Sequence, residues 1–348
     1  MVKPQRDVGQ QALDRIYQLL QIDESWSSRE SRSFSWIAHR LTQKIEASPV
    51  FESRGIPISR IISRVTVVED VELAASAAEK LVAHLNHMAI GSALSCVPEE
   101  RHIDMILGHI VHDETLASRS HQVGAFAMLQ LAVAERQAEP LADLFSGRVA
   151  RRHHPTSGER IYPDDMLNVL HATYLPAGGE TSRFANAPEI DKVYQLVYKS
   201  AFFSAGGSAD GIVIEVPFGP EDTSLIELST VVQHPNFGTG LGVFVRLRTS
   251  LDEADGAKLA NQLNVLQFEG GKVGAALGAW CLYTGNSQSS VGHALFIPNA
   301  HFQPDVALDA AMGAIERALW VDSVLYPGLP VRSSLPIVGK RMGMDLKG

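Results

Sequence analysis

Three runs of the second half decide the fold: GIVIEVP (Gly211–Pro217), LIELSTVV (Leu225–Val232) and GVFVRLR (Gly242–Arg248). Each is short, rich in β-branched residues and alternating, the period of a strand with one buried face. Outward from them, Glu253–Asn264 has helical spacing, and Leu277–Tyr283 and Val291–Ile297 read as two further strands. Pro304–Leu319 reads as a helix opening on Pro304-Asp305, a residue pair suited to a first turn. The order is βββ-α-ββ-α, followed from Val331 to Gly348 by an extended, basic-ended tail.

The first half is less regular. Val8–Ile22 places Leu13, Ile16, Tyr17 and Leu20 on one helical stripe, and Ser25–Ser33 is a polar loop around Trp26. The spacing of Phe34, Ile37, Ala38, Leu41 and Ile45 predicts a second amphipathic helix ending before Pro49. Ile58–Val68 reads as a strand and Glu69–Asn86 as a helix carrying Ala74, Ala78, Leu81 and Leu85 on one side. Ala93–Val97 and Met105–His112 are strand candidates, and Ser120–Glu139 is a helix stopped by Pro140. The basic, proline-broken stretch RVARRHHPTSGERIYP (Arg148–Pro163) is the linker candidate, followed by helical stretches Asp164–His171 and Pro188–Phe203.

Self-similarity links the halves. EKLVAHLN (Glu79–Asn86) lies over AKLANQLN (Ala257–Asn264), matching Lys80, Leu81, Leu85 and Asn86 to Lys258, Leu259, Leu263 and Asn264. Both copies run on to a cysteine strand, ALSC and GAWC, then to a Gly-His pair, Gly108-His109 and Gly292-His293. From there a helix carries Met128 and Met312, then Ala134 and Ala318. The chain therefore reads as two diverged copies of one unit.

The strands GIVIEV, LIELSTVV, GVFVRLR, GAWCLY and GHALFIP, with the two helices between and after them, resemble the type III secretion chaperone-like fold, including the YbjN-like bacterial family. The resemblance is clearest over Ala209–Leu325 and weaker over Phe34–Glu139. It implies a small acidic protein that binds other polypeptides without chemistry of its own, commonly as a homodimer.

Composition agrees with a folded chain. The 348 residues are 45% hydrophobic and 20% charged, enough for two modules with cores of ordinary density. A net charge of -9 argues against nucleic-acid binding, which needs a basic face. Two cysteines, Cys96 and Cys281, each in an apolar run, make no disulfide framework and fit a reducing compartment. Met1–Asp7 lacks the apolar stretch of a signal peptide, and the longest apolar-leaning segment, Val123–Ala134, is too short to span a bilayer. The expectation is a cytoplasmic protein that engages neither membrane nor nucleic acid.

The chemistry-bearing constellations are few. Gly238-Thr-Gly-Leu-Gly242 is followed by a strand rather than a helix, so it reads as a hairpin turn and not as a phosphate loop. Cys281, in the run WCLY, reads as a buried small hydrophobe. His84 and His87 share a helix face, while His109 and His112 point to opposite faces of a strand, and no metal signature accompanies either pair. No cofactor or metal is expected. In the strand Val243–Arg248, alternation puts Phe244, Arg246 and Arg248 on one face, where Glu215 and Glu227 of the neighbouring strands supply opposite charges. That face is either a solvated ladder or a partner surface anchored by Phe244.

The fold class that follows is α+β: two tandem modules, each an antiparallel sheet with helices on one face. Residues 1–147 form the first module with its N-terminal amphipathic helices, 148–208 a linker with short helices, 209–330 the second module and 331–348 the tail. The functional reading is a non-enzymatic partner-binding or chaperone-like protein, an intramolecular pseudo-dimer that is itself a monomer or a homodimer. Its partner is another polypeptide, carried by Phe244, Arg246 and Arg248. The alternative is a small-molecule enzyme whose site lies between the modules.

Overall fold

The computed structural model describes residues 7–53, 55–173, 181–185, 188–198, 203–208, 210–220, 222–249, 251–269, 277–284 and 289–326. The tail expected from Val331 lies outside the described residues. The first half runs α1 (Val8–Leu20), β1 (Ser27–Arg29), β2 (Ser33–Ile37), β3 (Thr42–Ala47), β4 (Phe51–Ser53), β5 (Ile56–Glu69), α2 (Ala75–Leu85), β6 (Ala93–Val97), β7 (His102–Val111), α3 (Leu116–Leu144) and β8 (Arg148–Val149). The second runs α4 (Asp165–Thr173), α5 (Pro188–Tyr198), β9 (Ser204–Ser208), β10 (Gly211–Phe218), β11 (Asp222–His234), β12 (Gly238–Arg246), α6 (Glu253–Glu269), β13 (Ala279–Thr284), β14 (Ser289–Pro298) and α7 (Val306–Leu325).

These make two antiparallel sheets of one design. The first has the order β1-β2-β3-β5-β7-β6, with β4 and β8 also pairing with β5, and the second β13-β14-β12-β11-β10-β9. Stripped of their outer strands, both halves read helix, three strands, helix, two strands, helix, with the fifth strand of the unit beside the third. The hydrogen-bond register makes the equivalence residue by residue. Trp36, Gln43, Val65, Met105 and Leu94 form one cross-strand row, and Ile214, Ile226, Val245, His293 and Trp280 form its counterpart. All ten are buried and point inward, where α1 and α3 cover the first sheet and α5, α6 and α7 the second.

The stretch expected to be a helix from Phe34 to Ile45 is instead the hairpin β2–β3. Phe34, Trp36, Gln43 and Ile45 face the core, and the strand period was hidden because one inward position is a glutamine. Gln43 is fully buried since its Oε1 accepts from Trp36 Nε1 (2.9 Å) and its Nε2 donates to the Ala127 carbonyl (2.8 Å). Pro140 does not stop α3: Leu141, Ala142 and Phe145 beyond it are buried, and that packing outweighs the hydrogen bond the proline removes.

The GTGLG run is not a turn but the start of β12. A Cβ on Gly240 or Gly242 would collide with the rings of Phe296 and Phe244, which lie across the strand at these positions. The proposed pairing of the two Gly-His dipeptides also fails. Gly292 pairs with Cys281 and Arg246, which makes it the counterpart of Asp104, paired with Ser95 and Thr66. Cys281 is thus equivalent to Ser95 and faces the other side of its sheet from Cys96.

The modules meet along α2 and α6. Here β6 and β13 are both edge strands, whose outward N–H and C=O groups have no neighbouring strand. Asparagine side chains fill that place. Asn86 accepts from Leu94 N and donates to Leu94 O (both 2.8 Å), and Asn264 accepts from Trp280 N (2.8 Å) and donates to Trp280 O (2.9 Å). Asn261 reaches across the junction to do the same for Cys96 (3.1 and 3.2 Å). Beyond Ala279 the line of β13 is continued by the first module: Phe296 N donates to Ala89 O (2.9 Å) and Gly278 N to Gly91 O (3.0 Å). Gly91 is held at φ +72° against the Phe126 ring, a position no side chain would occupy.

Candidate functional site

Among the described residues, an open groove on the second module and a small, partly open cavity between the modules concentrate polar chemistry. The groove, of about 1020 Å³, lies where the end of β12, α6 and the end of α7 converge. Its apolar lining includes Leu225, Leu251, Leu259 and Tyr326, and its charges include Arg246, Arg248 and Lys258 with Asp222 and Asp255.

The strand register places the three sequence-predicted residues. Arg246 shares a cross-strand row with Leu225 and Glu215, and Phe244 shares the next with Glu227 and Val213, all on the sheet face away from the helices. Arg246 is exposed, its guanidinium 5.4 Å from the Tyr283 ring centroid and 3.7 Å from Glu227. Arg248, also exposed, lies 3.2 Å from Asp222. Such exposed pairs hold the side chains loosely, with about 0–1 kcal/mol each. Phe244 is only partly accessible, because its ring lies over Gly242, and it is not among the residues lining the groove. The structure therefore brings Arg246 and Arg248 together in one concavity and leaves Phe244 beside it. Tyr326, edge-on to Phe218 at 5.7 Å, is the groove's aromatic. Sequence spacing gave no sign of Tyr326, because the last turn of α7 comes into place beside β12 only in three dimensions.

The cavity is smaller, about 30 Å³, and the histidines and arginines that line it are buried. From the first module it is lined by His109 on β7 and by Arg119 and Gln122 on α3; from the second by His293 on β14 and by Asp309 and Arg317 on α7. Arg119 crosses the junction to Asp309 (3.2 Å) and donates to Gln122 Oε1 (2.8 Å), and its Nη1 lies 2.9 Å from His109 Nε2. Arg317 donates to Gln267 Oε1 (3.1 Å) and to the Gly313 carbonyl (3.3 Å). Burial holds both imidazoles well below the usual histidine range, with Arg119 and Arg317 adding to the effect at His109 and Arg317 at His293. Burial also pulls the Arg317 guanidinium down to about 10. His109 and His293, set apart in the sequence as marks of the repeat, are not equivalent positions, yet they line the same cavity.

The cysteines belong to neither place. Burial raises the Cys96 thiol to about 11 and that of Cys281 to about 12, the opposite of what a nucleophile needs. Among the described residues no group of three His, Cys, Asp or Glu side chains is placed to hold a metal ion. No helix among them is long and apolar enough to cross a membrane. No family model and no curated protein matches this chain. Among solved structures, StfQ, a di-domain aromatase/cyclase from the steffimycin biosynthetic pathway, aligns over 91% of each chain at 10% identity with a TM-score of 0.10, a likeness that carries no argument.

Proposed function

We propose that this is a non-enzymatic, chaperone-like binding protein of the cytoplasm, built as an intramolecular pseudo-dimer, whose groove takes an extended segment of another polypeptide. The observation that carries the reading is the groove itself: about 1020 Å³, open to solvent, with apolar side chains between exposed charges of both signs. A concavity of that size suits side chains of a peptide entering one after another, and loosely paired arginines can turn from Glu227 and Asp222 to a partner's carboxylates at little cost. Two further observations support it. Both halves have the strand and helix order on which the resemblance to type III secretion chaperone-like proteins rests. The acidic chain and its two buried free cysteines suit a reducing compartment and a partner other than nucleic acid.

The test is site-specific photocrosslinking in cells. A photoreactive residue at Leu259, in the groove, should give discrete polypeptide adducts. The same residue at exposed Leu144 should not, and Arg246→Glu with Arg248→Glu should abolish the Leu259 adducts. Equal adducts at both positions, or adducts indifferent to the charge reversal, would remove the groove as the binding site. The alternative reading, a small-molecule enzyme with its site between the modules, is favoured by His109 and His293 lining one inter-module cavity. At about 30 Å³ that cavity has room for a few atoms, not for a metabolite of ordinary size.

A further inference from the structure

The inter-module cavity has a feature that packing alone does not account for. His293 is 3% exposed, and neither of its ring nitrogens meets a hydrogen-bond partner among the described residues. A neutral imidazole carries one donor and one acceptor, and leaving either unmade in the interior costs about 1–3 kcal/mol. The ring borders open space of about 30 Å³, room for two water-sized positions or one small polyatomic ion.

A second observation is independent of the first. Gly313 lines the same space from the middle of α7, and a Cβ built on it would meet nothing within 4 Å. Glycine inside a helix is less stable than alanine by about 0.5–1 kcal/mol, so an alanine here would strengthen α7 without a clash. What the glycine preserves is the volume.

The walls decide what that volume suits. Two guanidiniums, Arg119 and Arg317, and the Gln122 amide supply N–H donors, against one carboxylate, Asp309, already drawn to Arg119. Glu316, next to Arg317 on α7, offsets part of the charge without lining the cavity. Val243, Leu277, Leu295, Ala310 and Ala314 complete the walls, so the donors converge on a net-positive space with largely apolar sides. Such a space matches an anion better than a neutral polar molecule, and planar oxyanions are the shapes a guanidinium meets with two parallel hydrogen bonds.

We propose that this cavity is a binding site for a small monovalent oxyanion of three or four heavy atoms, of the formate, acetate or nitrate class, held by His293, Arg317 and Arg119. Because Arg119 belongs to the first module and His293 and Arg317 to the second, the ion bridges the modules and strengthens their junction. The imidazole of His293 donates to it, and the bound charge favours the protonated form of His293 and of His109, which lines the same cavity from β7, so affinity rises as pH falls.

The experiment uses the full chain with sodium formate and sodium nitrate as probes and sodium sulfate at matched ionic strength as the control. Thermal unfolding should shift upward saturably with either probe, by about 4 °C at a hundredfold excess over Kd, whereas sulfate, which stabilises by exclusion from the surface, should give no saturating shift. In parallel, the His293 Cε1–H resonance should move along one saturable curve. Gly313→Ala, which fills the space while favouring the helix, should melt no lower than the parent and lose the response to both probes at least tenfold. His293→Phe keeps the ring volume and should lose it as well. An unchanged resonance and melting temperature in the parent would overturn the proposal, as would a response that survives Gly313→Ala. A crystal soaked in nitrate that shows two waters and no ion in the cavity would overturn it too.

Discussion

Asn86 and Asn264 perform the same task in the two modules: Asn86 at the end of α2 and Asn264 within α6 each clasp the N–H and C=O of the second residue of an edge strand, Leu94 in one and Trp280 in the other. The two also converge, since Asn86 Nδ2 lies 3.3 Å from the Trp280 carbonyl that Asn264 already serves. A side-chain amide is a short piece of peptide, and here it stands in for the strand that neither edge has. Each is almost fully buried, so its removal leaves two backbone groups without partner or water. Asn86→Ala and Asn264→Ala should each lower stability by about 2–4 kcal/mol in urea unfolding. The double variant should depart from additivity, through the shared carbonyl, by about 0.5–3 kcal/mol. Losses within about 0.5 kcal/mol would mean that the edges are satisfied in another way.

The thiols give a kinetic test of the cores. Cys96 and Cys281 are buried and their pKa values are raised to about 11 and 12, so at pH 8 neither is thiolate to any useful degree. Labelling by a chromogenic disulfide should therefore follow unfolding, and urea should release both thiols together. Stoichiometric labelling of native protein within seconds would contradict the burial of both strands and reopen a chemical role for Cys281.

The second module was legible in the sequence because its strands alternate cleanly, and the shared helix segment ending in Asn86 and Asn264 was legible because both asparagines are retained for one physical purpose. The β2–β3 hairpin was not, since Gln43 points inward and Ile37, Ala38 and Leu41 at the turn imitate a helical stripe. The offset between Gly108 and Gly292 was equally hidden: strand register is fixed by hydrogen bonds between distant segments, and a shift of four residues leaves the side-chain alternation unchanged. At the site, Arg246 and Arg248 could be placed on one face by counting in twos. The groove and the cavity could not, because each is assembled from elements far apart in the chain.

The groove should separate binding from stability. Arg246→Ala and Arg248→Ala remove exposed pairs with Glu227 and Asp222, and each should change stability by no more than about 1 kcal/mol. Phe244→Ala strips a ring from Gly242 and the sheet face, and should cost more, about 2 kcal/mol, below the 3–5 of a fully buried phenylalanine. Crosslinking from Leu259 should be lost in the arginine variants whose melting temperature is unchanged. A Phe244→Ala variant as stable as the parent would show that its ring contributes little to the second module.

Acid should weaken the fold well above the range in which carboxylates titrate. His234 and His301 are both held down to about 4, chiefly by burial, and His109 and His293 also lie below the usual value near 6.5. For each of these groups the unfolded chain binds a proton that the folded chain refuses. Their stabilisation is complete above pH 6.5 and is lost as pH falls from there toward 4. His102 runs the other way: Asp104 raises it, so its contribution is present below 6.5 and lost as pH rises through its folded value. Asp7 and Asp104 are lowered from 3.8, and both stay ionised between pH 7 and pH 5 in either state. Between pH 7 and pH 5, His234 and His301 should each withdraw about 2 kcal/mol of stability. His234 lies 5.1 Å from the rings of both Phe237 and Phe296, an aromatic setting that a phenylalanine can share. Urea unfolding of His234→Phe at the two pH values should therefore show a smaller loss than the parent by about that amount. A parent stability that is flat or rises from pH 7 to pH 5 would mean that these histidines are protonated inside the fold.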